Sequence, residues 1–149
     1  MDIQAQMQMF LEELRKKMEL WIEGDNLRYR ASEDQAIESE LSQIKQDKQK
    51  ILKILKQGTY ISKTVPASRG QQALYLTHEL APESSAYNIG FALRIQSVLD
   101  KEAMHKAIQT IVERHASLRT LFTTKQDGEL FQNIYGYKKA YFEEIDAFE

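Results

Sequence analysis

Residues 18–30 read MELWIEGDNLRYR, and this stretch decides the fold of the first third of the chain. Two runs rich in aromatic and aliphatic side chains, ELWI at 19–22 and LRYR at 27–30, flank the tetrapeptide EGDN. Alternating runs on either side of a short segment with Gly and Asn predict a β-hairpin. A two-stranded hairpin is only marginally stable alone in water, so we expect it to pack on its neighbours. Its outer edge would keep unpaired backbone groups, which can accept a further strand.

The sequence on both sides of the hairpin has helical periodicity. Upstream, apolar side chains recur every three or four positions, at Ile3, Met7, Phe10, Leu11, Leu14 and Met18. Asp2 is the expected N-cap of this helix. Downstream, residues 32–34 (SED) offer capping side chains for a short helical turn that ends near Glu40, and a longer helix follows. The apolar stripe of that helix is Leu41, Ile44, Ile51, Leu52 and Leu55, and Gly58 is a natural stop.

A second unit is predicted after a linker at residues 58–66, which has neither a helical period nor a charge run. Ser68 is placed to cap a first helix, and Asp100 is placed to cap a second. Residues 88–96 alternate apolar and polar side chains, which predicts a strand that buries one face.

The end of the chain predicts more strands, at 118–124 and 130–135 across an Asp127-Gly128 turn, and at 141–145. The expected fold class is therefore α+β. It combines a small unit of helix, β-hairpin and two helices with a partial α/β lobe.

The composition excludes several classes of protein. Hydrophobic residues make up 42% of the 149 residues and charged residues 28%, the balance of a folded soluble protein. No apolar run approaches the roughly 18 residues of a membrane span, and the N-terminus lacks a signal peptide, so we expect no membrane partner and a cytoplasmic location. The absence of cysteine and three scattered histidines predict no metal site. A net charge of −2 argues against nucleic acid as a partner.

Two residues of the first unit each have two interpretations that stay open at this point. Trp21, the only tryptophan, is either a core anchor between hairpin and helices or a half-exposed platform for a partner's side chain. Lys48 interrupts the apolar stripe of the last helix. It either extends its stem along the edge of the core or aims its ammonium group at a ligand carboxylate.

The first 57 residues carry a family resemblance. The string LEELRKKMELWIEGDNLRYRA, followed by ELSQIKQDKQKILKIL, resembles the β-hairpin docking domain at the N-terminus of nonribosomal peptide synthetase and hybrid polyketide/peptide synthetase subunits. We place this domain at residues 1–57. The resemblance implies that a short C-terminal tail of the preceding subunit adds alongside the hairpin, as in β-augmentation. It implies a partner and no reaction.

The tails accepted by such domains are often acidic, which suggests a role for the cations of the hairpin. Arg28 and Arg30 alternate with Leu27 and Tyr29, so the two pairs should project to opposite faces. The planar fork of arginine suits carboxylates. We hypothesise that the two arginines, with a lysine of the last helix, grip an acidic tail. The expected partner-binding residues are Trp21, Leu27, Arg28, Tyr29, Arg30, Lys45 and Lys48.

Residues 67–149 resemble the start of a condensation domain from the same enzymes. SRGQQALYL at 68–76 is similar to the first core motif of that family, and RHASLRTLF at 114–122 is similar to the second. In the resembled family, the arginine at the position of Arg119 helps to hold the catalytic loop. The residues expected to be structural parts of the two motifs are Ser68, Gln71, Arg114, His115 and Arg119.

Condensation domains form peptide bonds between two carrier-bound thioesters with a His-His-x-x-x-Asp-Gly motif. No such string occurs here, because His78, His105 and His115 are isolated and the only Asp-Gly pair has no histidines before it. We expect the motif to lie beyond Glu149. The chain would then be no enzyme and need no cofactor, whereas its parent polypeptide would be a nonribosomal peptide synthetase whose carrier proteins bear phosphopantetheine.

The leading functional hypothesis is a docking module that raises the effective concentration of the right carrier protein near the right condensation site. One alternative is a condensation enzyme in its own right. Another is a homodimerisation module, since an open hairpin edge can also pair with itself.

Overall fold

The computed structural model describes residues 3–31 and 37–145. The N-terminal unit consists of helix α1 (Ile3–Lys17), strands β1 (Met18–Glu23) and β2 (Asn26–Ala31), and helices α2 (Glu38–Gln46) and α3 (Lys48–Leu55). The predicted order of helix, hairpin, helix and helix is confirmed. The caps predicted at Asp2 and at 32–34 lie outside the described residues.

Strand β1 organises the packing of this unit because its side chains alternate between two environments. The buried side chains are those of Met18, Leu20 and Ile22, and the half-buried ones between them are those of Glu19, Trp21 and Glu23. The buried face joins the apolar stripes of α1 and α3 in one core, in which Leu11, Ile51 and Leu55 are at most 1% exposed. The turn between the strands needs a positive φ, which Gly24 adopts at 61° without steric cost.

The sequence predicted a boundary near Glu40 between the two helices after the hairpin, but they divide later, at Asp47. Its φ of −98° and ψ of 13° depart from helical values, although its N–H still donates to the Gln43 carbonyl and its own carbonyl accepts from Ile51. Aspartate disfavours helix interiors because its short side chain competes for backbone groups. Lys17 donates to the Glu40 carboxylate and so ties α1 to α2, and this hydrogen bond lowers the pKa of Glu40 to about 2.

The C-terminal unit packs helices beside one antiparallel sheet. Its elements are β3 (Ile61–Pro66), α4 (Arg69–Leu80), α5 (Lys101–Arg114), a 3₁₀ helix (Ala116–Arg119), β4 (Thr120–Thr124) and β5 (Leu130–Tyr135). The strand order is β3-β5-β4. The α+β fold class is therefore confirmed. Within the described ranges, no helix is long and apolar enough to cross a membrane.

The structure differs from the expectations for this unit in three places. The predicted linker, 58–66, contains β3, whose pairing with the distant β5 leaves no local signal. The strands predicted at 88–96 and 141–145 are wrong, because neither segment pairs with a described strand. A strand needs a neighbour for its backbone hydrogen bonds. Without one, Ile89 and Phe91 are 94% and 84% exposed.

The two units meet along the edge of β1 that faces away from β2. A register irregularity in β3 at Ser62 turns this side chain, 3% exposed, toward the hairpin. Its Oγ accepts a hydrogen bond from the Leu20 N–H at 2.9 Å. The Ile22 N–H donates to the carbonyl of Gly136, just after β5, also at 2.9 Å. The C-terminal unit thus covers this edge of the hairpin.

Candidate partner-binding site

The hairpin has two edges, and β2 forms the open one. Leu20 and Ile22 direct their N–H groups away from β2, so their cross-strand partners, Tyr29 and Leu27, belong to non-hydrogen-bonded pairs. The backbone N–H and C=O groups of Tyr29 and Leu27 therefore point away from β1. Among the described residues, nothing bonds to them. Within residues 3–31 and 37–145, this edge of the hairpin is therefore open.

One side of the hairpin faces outward, and we call it the outer hairpin face. By the strand register it carries Glu19, Trp21, Glu23, Arg28 and Arg30. Trp21 is half-buried at its centre, and the guanidinium carbon of Arg30 lies 5.9 Å from the centroid of its ring. The core positions on β1 belong to the neighbours of Trp21. Trp21 therefore lies outside the buried core of this unit, on the outer hairpin face.

Two carboxylates on the outer hairpin face pair with cations from both units. Glu23 binds Arg28 through Nε at 3.2 Å and Arg114 through Nε at 3.3 Å. Glu19 binds the Nζ of Lys63 at 2.5 Å. Exposed ion pairs of this kind contribute at most about 1 kcal/mol. Their main effect is to orient the cations.

Lys45 and Lys48 lie on helices that pack against the opposite side of the hairpin. Ile44 and Ile51, their neighbours, belong to the same buried cluster as Leu20. Lys45 is exposed and Lys48 is half-buried, and neither forms an ion pair with a described residue. The structure brings Arg28 and Arg30 together on one face and brings neither lysine to them.

Most of the core-motif residues lie at helix ends. The Oγ of Ser68 accepts from the Gln71 N–H, and the Gln71 side chain accepts from the Ser68 N–H at 2.8 Å, which completes a capping box for α4. His115 follows α5, and its N–H donates to the Ile111 carbonyl at 3.0 Å. Arg114, the last residue of α5, points to the hairpin, where it meets Glu23.

Arg119 is the buried member of the second motif, with 4% exposure. Its Nε donates to the Val112 carbonyl at 3.1 Å, and its Nη1 donates to the Tyr135 carbonyl. Burial lowers the pKa of this guanidinium, and the nearby Glu113 carboxylate opposes that shift. Arg119 thus ties the end of α5 to the end of β5.

Sequence reasoning missed Glu113, which fixes the hairpin turn to α5. Glu113 is buried, with 5% exposure. Its Oε2 accepts from the Gly24 N–H at 2.7 Å, and its Oε1 accepts from the Gln109 Nε2 at 2.9 Å. No local signal announced it, because a helical projection places Glu113 opposite the apolar residues Met104, Ile108 and Ile111 of the same helix.

The same junction holds an open groove of roughly 730 Å³ beside the hairpin turn. Its charged lining mixes signs, with Asp25 and Glu113 among Lys56, Lys106 and Lys139. In the described part of the chain, no group of three acidic or histidine side chains is arranged to hold a metal ion. The open β2 edge and the outer hairpin face therefore form the best-defined candidate site.

Comparison with known proteins explains why the chain has two units. Residues 61–149 match the family model of the condensation domain. The chain belongs to the condensation domain family. Residues 7–57 match the model of the TubC N-terminal docking domain, so a docking domain precedes the condensation domain. Both resemblances found in the sequence are confirmed.

The relatives are peptide synthetases and a hybrid synthetase. Bacitracin synthase 2 of Bacillus licheniformis is 39% identical over 69 residues, or 46% of this chain and 3% of that protein. Surfactin synthase subunit 1 of Bacillus subtilis (strain 168) is 36% identical over 83 residues, or 54% of this chain and 2% of that protein. The hybrid PKS-NRPS synthetase ucsA of Acremonium sp is 32% identical over 74 residues, or 50% of this chain and 2% of that synthetase. The chain thus spans only a small fraction of the length of these relatives. No solved structure matches it.

The match to a docking domain implies an interaction with another synthetase subunit. The junction along β1 is then the interface between docking and condensation domains. That interface uses the β1 edge, and β2 lies outside it.

Proposed function

We propose that this chain is the receiving side of a junction between two synthetase subunits. The C-terminal tail of the upstream polyketide synthase or peptide synthetase subunit adds to the docking domain as a strand beside β2. The observation that carries this proposal is the asymmetry of the hairpin. The β1 edge is bonded to Ser62 and Gly136, whereas the outward backbone groups of Leu27 and Tyr29 have no partner among the described residues. In β-augmentation, an extended peptide adds as a strand to an open edge of this kind.

Side chains of an added strand alternate between the two faces of the hairpin. Those on one face meet the ring of Tyr29, which is 47% exposed, and those on the other meet Arg28 and Arg30. An acidic tail fits the second face because guanidinium groups bind carboxylates through paired hydrogen bonds. Docking then raises the effective concentration of the upstream phosphopantetheine-bearing carrier protein near the condensation domain. Peptide-bond formation belongs to the parent polypeptide in this proposal.

The backbone part of the proposal is tested at Tyr29. Tyr29→Pro removes an outward N–H without breaking a bond to β1, since proline is tolerated on edge strands. We expect it to bind a peptide copied from the C-terminus of the subunit encoded directly upstream about tenfold more weakly than Tyr29→Ala does. Both variants lose the phenol ring, so their difference isolates the backbone donor. Calorimetric titration measures it, and equal affinities of the two variants would exclude strand addition at β2.

The electrostatic part is tested by charge reversal on the outer hairpin face. Arg28→Glu and Arg30→Glu should each weaken binding of the same peptide about tenfold at low salt, with a smaller difference at high salt. Lys53→Glu is the matched control, because it makes the same change of charge at an exposed position on α3, on the opposite side of the hairpin. If all three variants bind alike, the tail is not held by these arginines.

The open β2 edge also supports a second candidate, a homodimer in which two hairpins pair through β2. A strand edge can pair with its own copy related by a two-fold axis. Sedimentation velocity without peptide would then show a dimer that Tyr29→Pro converts to a monomer. A monomer that forms a one-to-one complex with the tail peptide supports the docking function instead.

A further inference from the structure

Glu23 lies where the two domains meet on the outer hairpin face, and it binds two arginines from different domains. Arg28 of β2 donates from Nε to Oε2 at 3.2 Å, and the Nε of Arg114 of α5 lies 3.3 Å from Oε1. Two guanidinium groups are thus held on the two oxygens of one carboxylate. One negative charge neutralises only one of them, so the cluster keeps a positive charge that attracts a second anion.

Both arginines keep hydrogen-bond donors for that anion. Each uses Nε on Glu23, and neither uses its terminal Nη groups in a hydrogen bond or ion pair with a described residue. The side chains of Arg28 and Arg114 are 54% and 64% exposed, whereas that of Glu23 is 29% exposed. The cations therefore face the solvent while the carboxylate lies beneath them. An anion that arrives from solution meets free N–H donors first.

The other end of the outer hairpin face has the same excess of positive charge. Glu19 pairs with Lys63 of the condensation domain and faces Arg30 across the strands. Together the two ends present two carboxylates and four cations, which are Arg28, Arg30, Lys63 and Arg114. Trp21 lies between Glu19 and Glu23 on β1. A surface of this kind attracts acidic segments and disfavours basic ones.

We propose that Arg114, a residue of the condensation domain, binds a carboxylate of the docking tail together with Arg28. The inference rests on the proposed docking function, which supplies the tail. The ligand is an aspartate or glutamate side chain on the added strand where that strand passes Arg28. Its carboxylate would bring the cluster to two cations and two anions. The fork of arginine suits this role because its terminal N–H groups lie in one plane and can donate to the two oxygens of a carboxylate.

Recognition of the upstream subunit then depends on residues of both domains. The docking domain supplies the strand edge and Arg28, and the condensation domain supplies Arg114 through the contact with Glu23. A docking domain transferred to a condensation domain without an arginine at this position would keep the edge and lose part of the charge recognition. Arg114 would then act as a specificity determinant for the pairing of subunits.

A double-mutant cycle tests the proposal in the full chain. The probe is the C-terminal peptide of the subunit encoded directly upstream, together with versions in which each acidic residue is replaced, one at a time, by its amide. Arg114→Gln should weaken binding of the unmodified peptide about fivefold, and Arg114→Lys should weaken it less. For one amide-bearing peptide, Arg114→Gln should have no further effect, because the carboxylate that Arg114 binds is already gone.

The controls separate a binding role from a structural one. Arg94→Gln removes an exposed arginine and should leave every affinity unchanged. If Arg114→Gln weakens all peptides by the same factor, Arg114 supports the fold and the proposal is overturned. If it weakens none while Tyr29→Pro weakens them all, the tail binds without Arg114 and the proposal again fails. If neither variant affects binding, the tail does not add to β2, and the proposed function fails together with the role of Arg114.

Discussion

Replacing Gly136 by alanine should lower the free energy of unfolding by about 3 kcal/mol, because the residue lies where the docking hairpin meets the condensation domain. A Cβ at this position would lie 2.9 Å from the Leu20 carbonyl oxygen and 3.0 Å from the Tyr60 Cδ1. The first of these is a backbone atom. It moves only if β1 moves, and β1 is held by the hydrogen bond from Ile22 to the Gly136 carbonyl. Urea unfolding followed by circular dichroism measures the loss.

The chain offers a matched control for this substitution. Gly70 lies in the first turn of α4, and nothing lies within 4 Å of a Cβ placed there. Because alanine has the higher helix propensity, Gly70→Ala should raise the free energy of unfolding by about 0.5 kcal/mol. The same added methyl group thus has opposite effects at the two sites. A Gly136→Ala protein as stable as the parent chain would show that the interface between the domains is looser than these contacts require.

The sequence predicted the parts of the fold that depend on local patterns. The hairpin at 18–30 was visible because its strands and turn are contiguous, and the caps at Ser68 and Asp100 were visible because a cap and its helix are neighbours in sequence. Strand β3 was missed because it exists only through pairing with β5, which lies far along the chain. The strand predicted at 88–96 has the right alternation but no described partner, so its pattern alone does not make it a strand.

In the candidate site, too, the sequence predicted the features that depend on local patterns and missed those that depend on distant contacts. Arg28 and Arg30 were predicted on one face because alternation along a strand decides the side on which a residue lies. Which edge of the hairpin is open was not predictable, since it depends on Ser62 and Gly136 reaching β1 from the other domain. Arg114 was expected only as a structural part of a motif. Its contact with Glu23 joins residues far apart in sequence, and nothing local announces it.

These contacts together explain why the docking domain is held in one orientation on the condensation domain. Hydrogen bonds from the Leu20 and Ile22 N–H groups attach β1 to the condensation domain. The buried Glu113 carboxylate accepts from the Gly24 N–H and so attaches the hairpin turn. This attachment places the β2 edge on the side of the hairpin that faces away from the condensation domain.

Arg119→Met should also lower the free energy of unfolding by about 3 kcal/mol, through the loss of a buried charge with two carbonyl partners. Methionine fills similar space but donates nothing. The Val112 and Tyr135 carbonyls would lose the donors that join α5 to β5. The buried Glu113 carboxylate would lose its favourable interaction with the guanidinium. Arg119→Lys should lose less, because one ammonium group keeps the charge and satisfies one of the two carbonyls.

A second substitution distinguishes the two sources of this loss. In the double variant Arg119→Met, Glu113→Gln, the buried carboxylate is gone. The new amide oxygen can still accept from one of the two donors, Gly24 or Gln109, which bond to different oxygens of Glu113. The double variant should therefore be less destabilised than the sum of the two single changes.

Arg94→Met, at an exposed site, should change the free energy of unfolding by less than about 0.5 kcal/mol. If Arg119→Met behaves like Arg94→Met in urea, the guanidinium does not tie α5 to β5. If the two single changes add without coupling, the Gly24 and Gln109 donors stabilise the Glu113 carboxylate without a contribution from Arg119, and Arg119 supports the condensation domain independently of the docking hairpin.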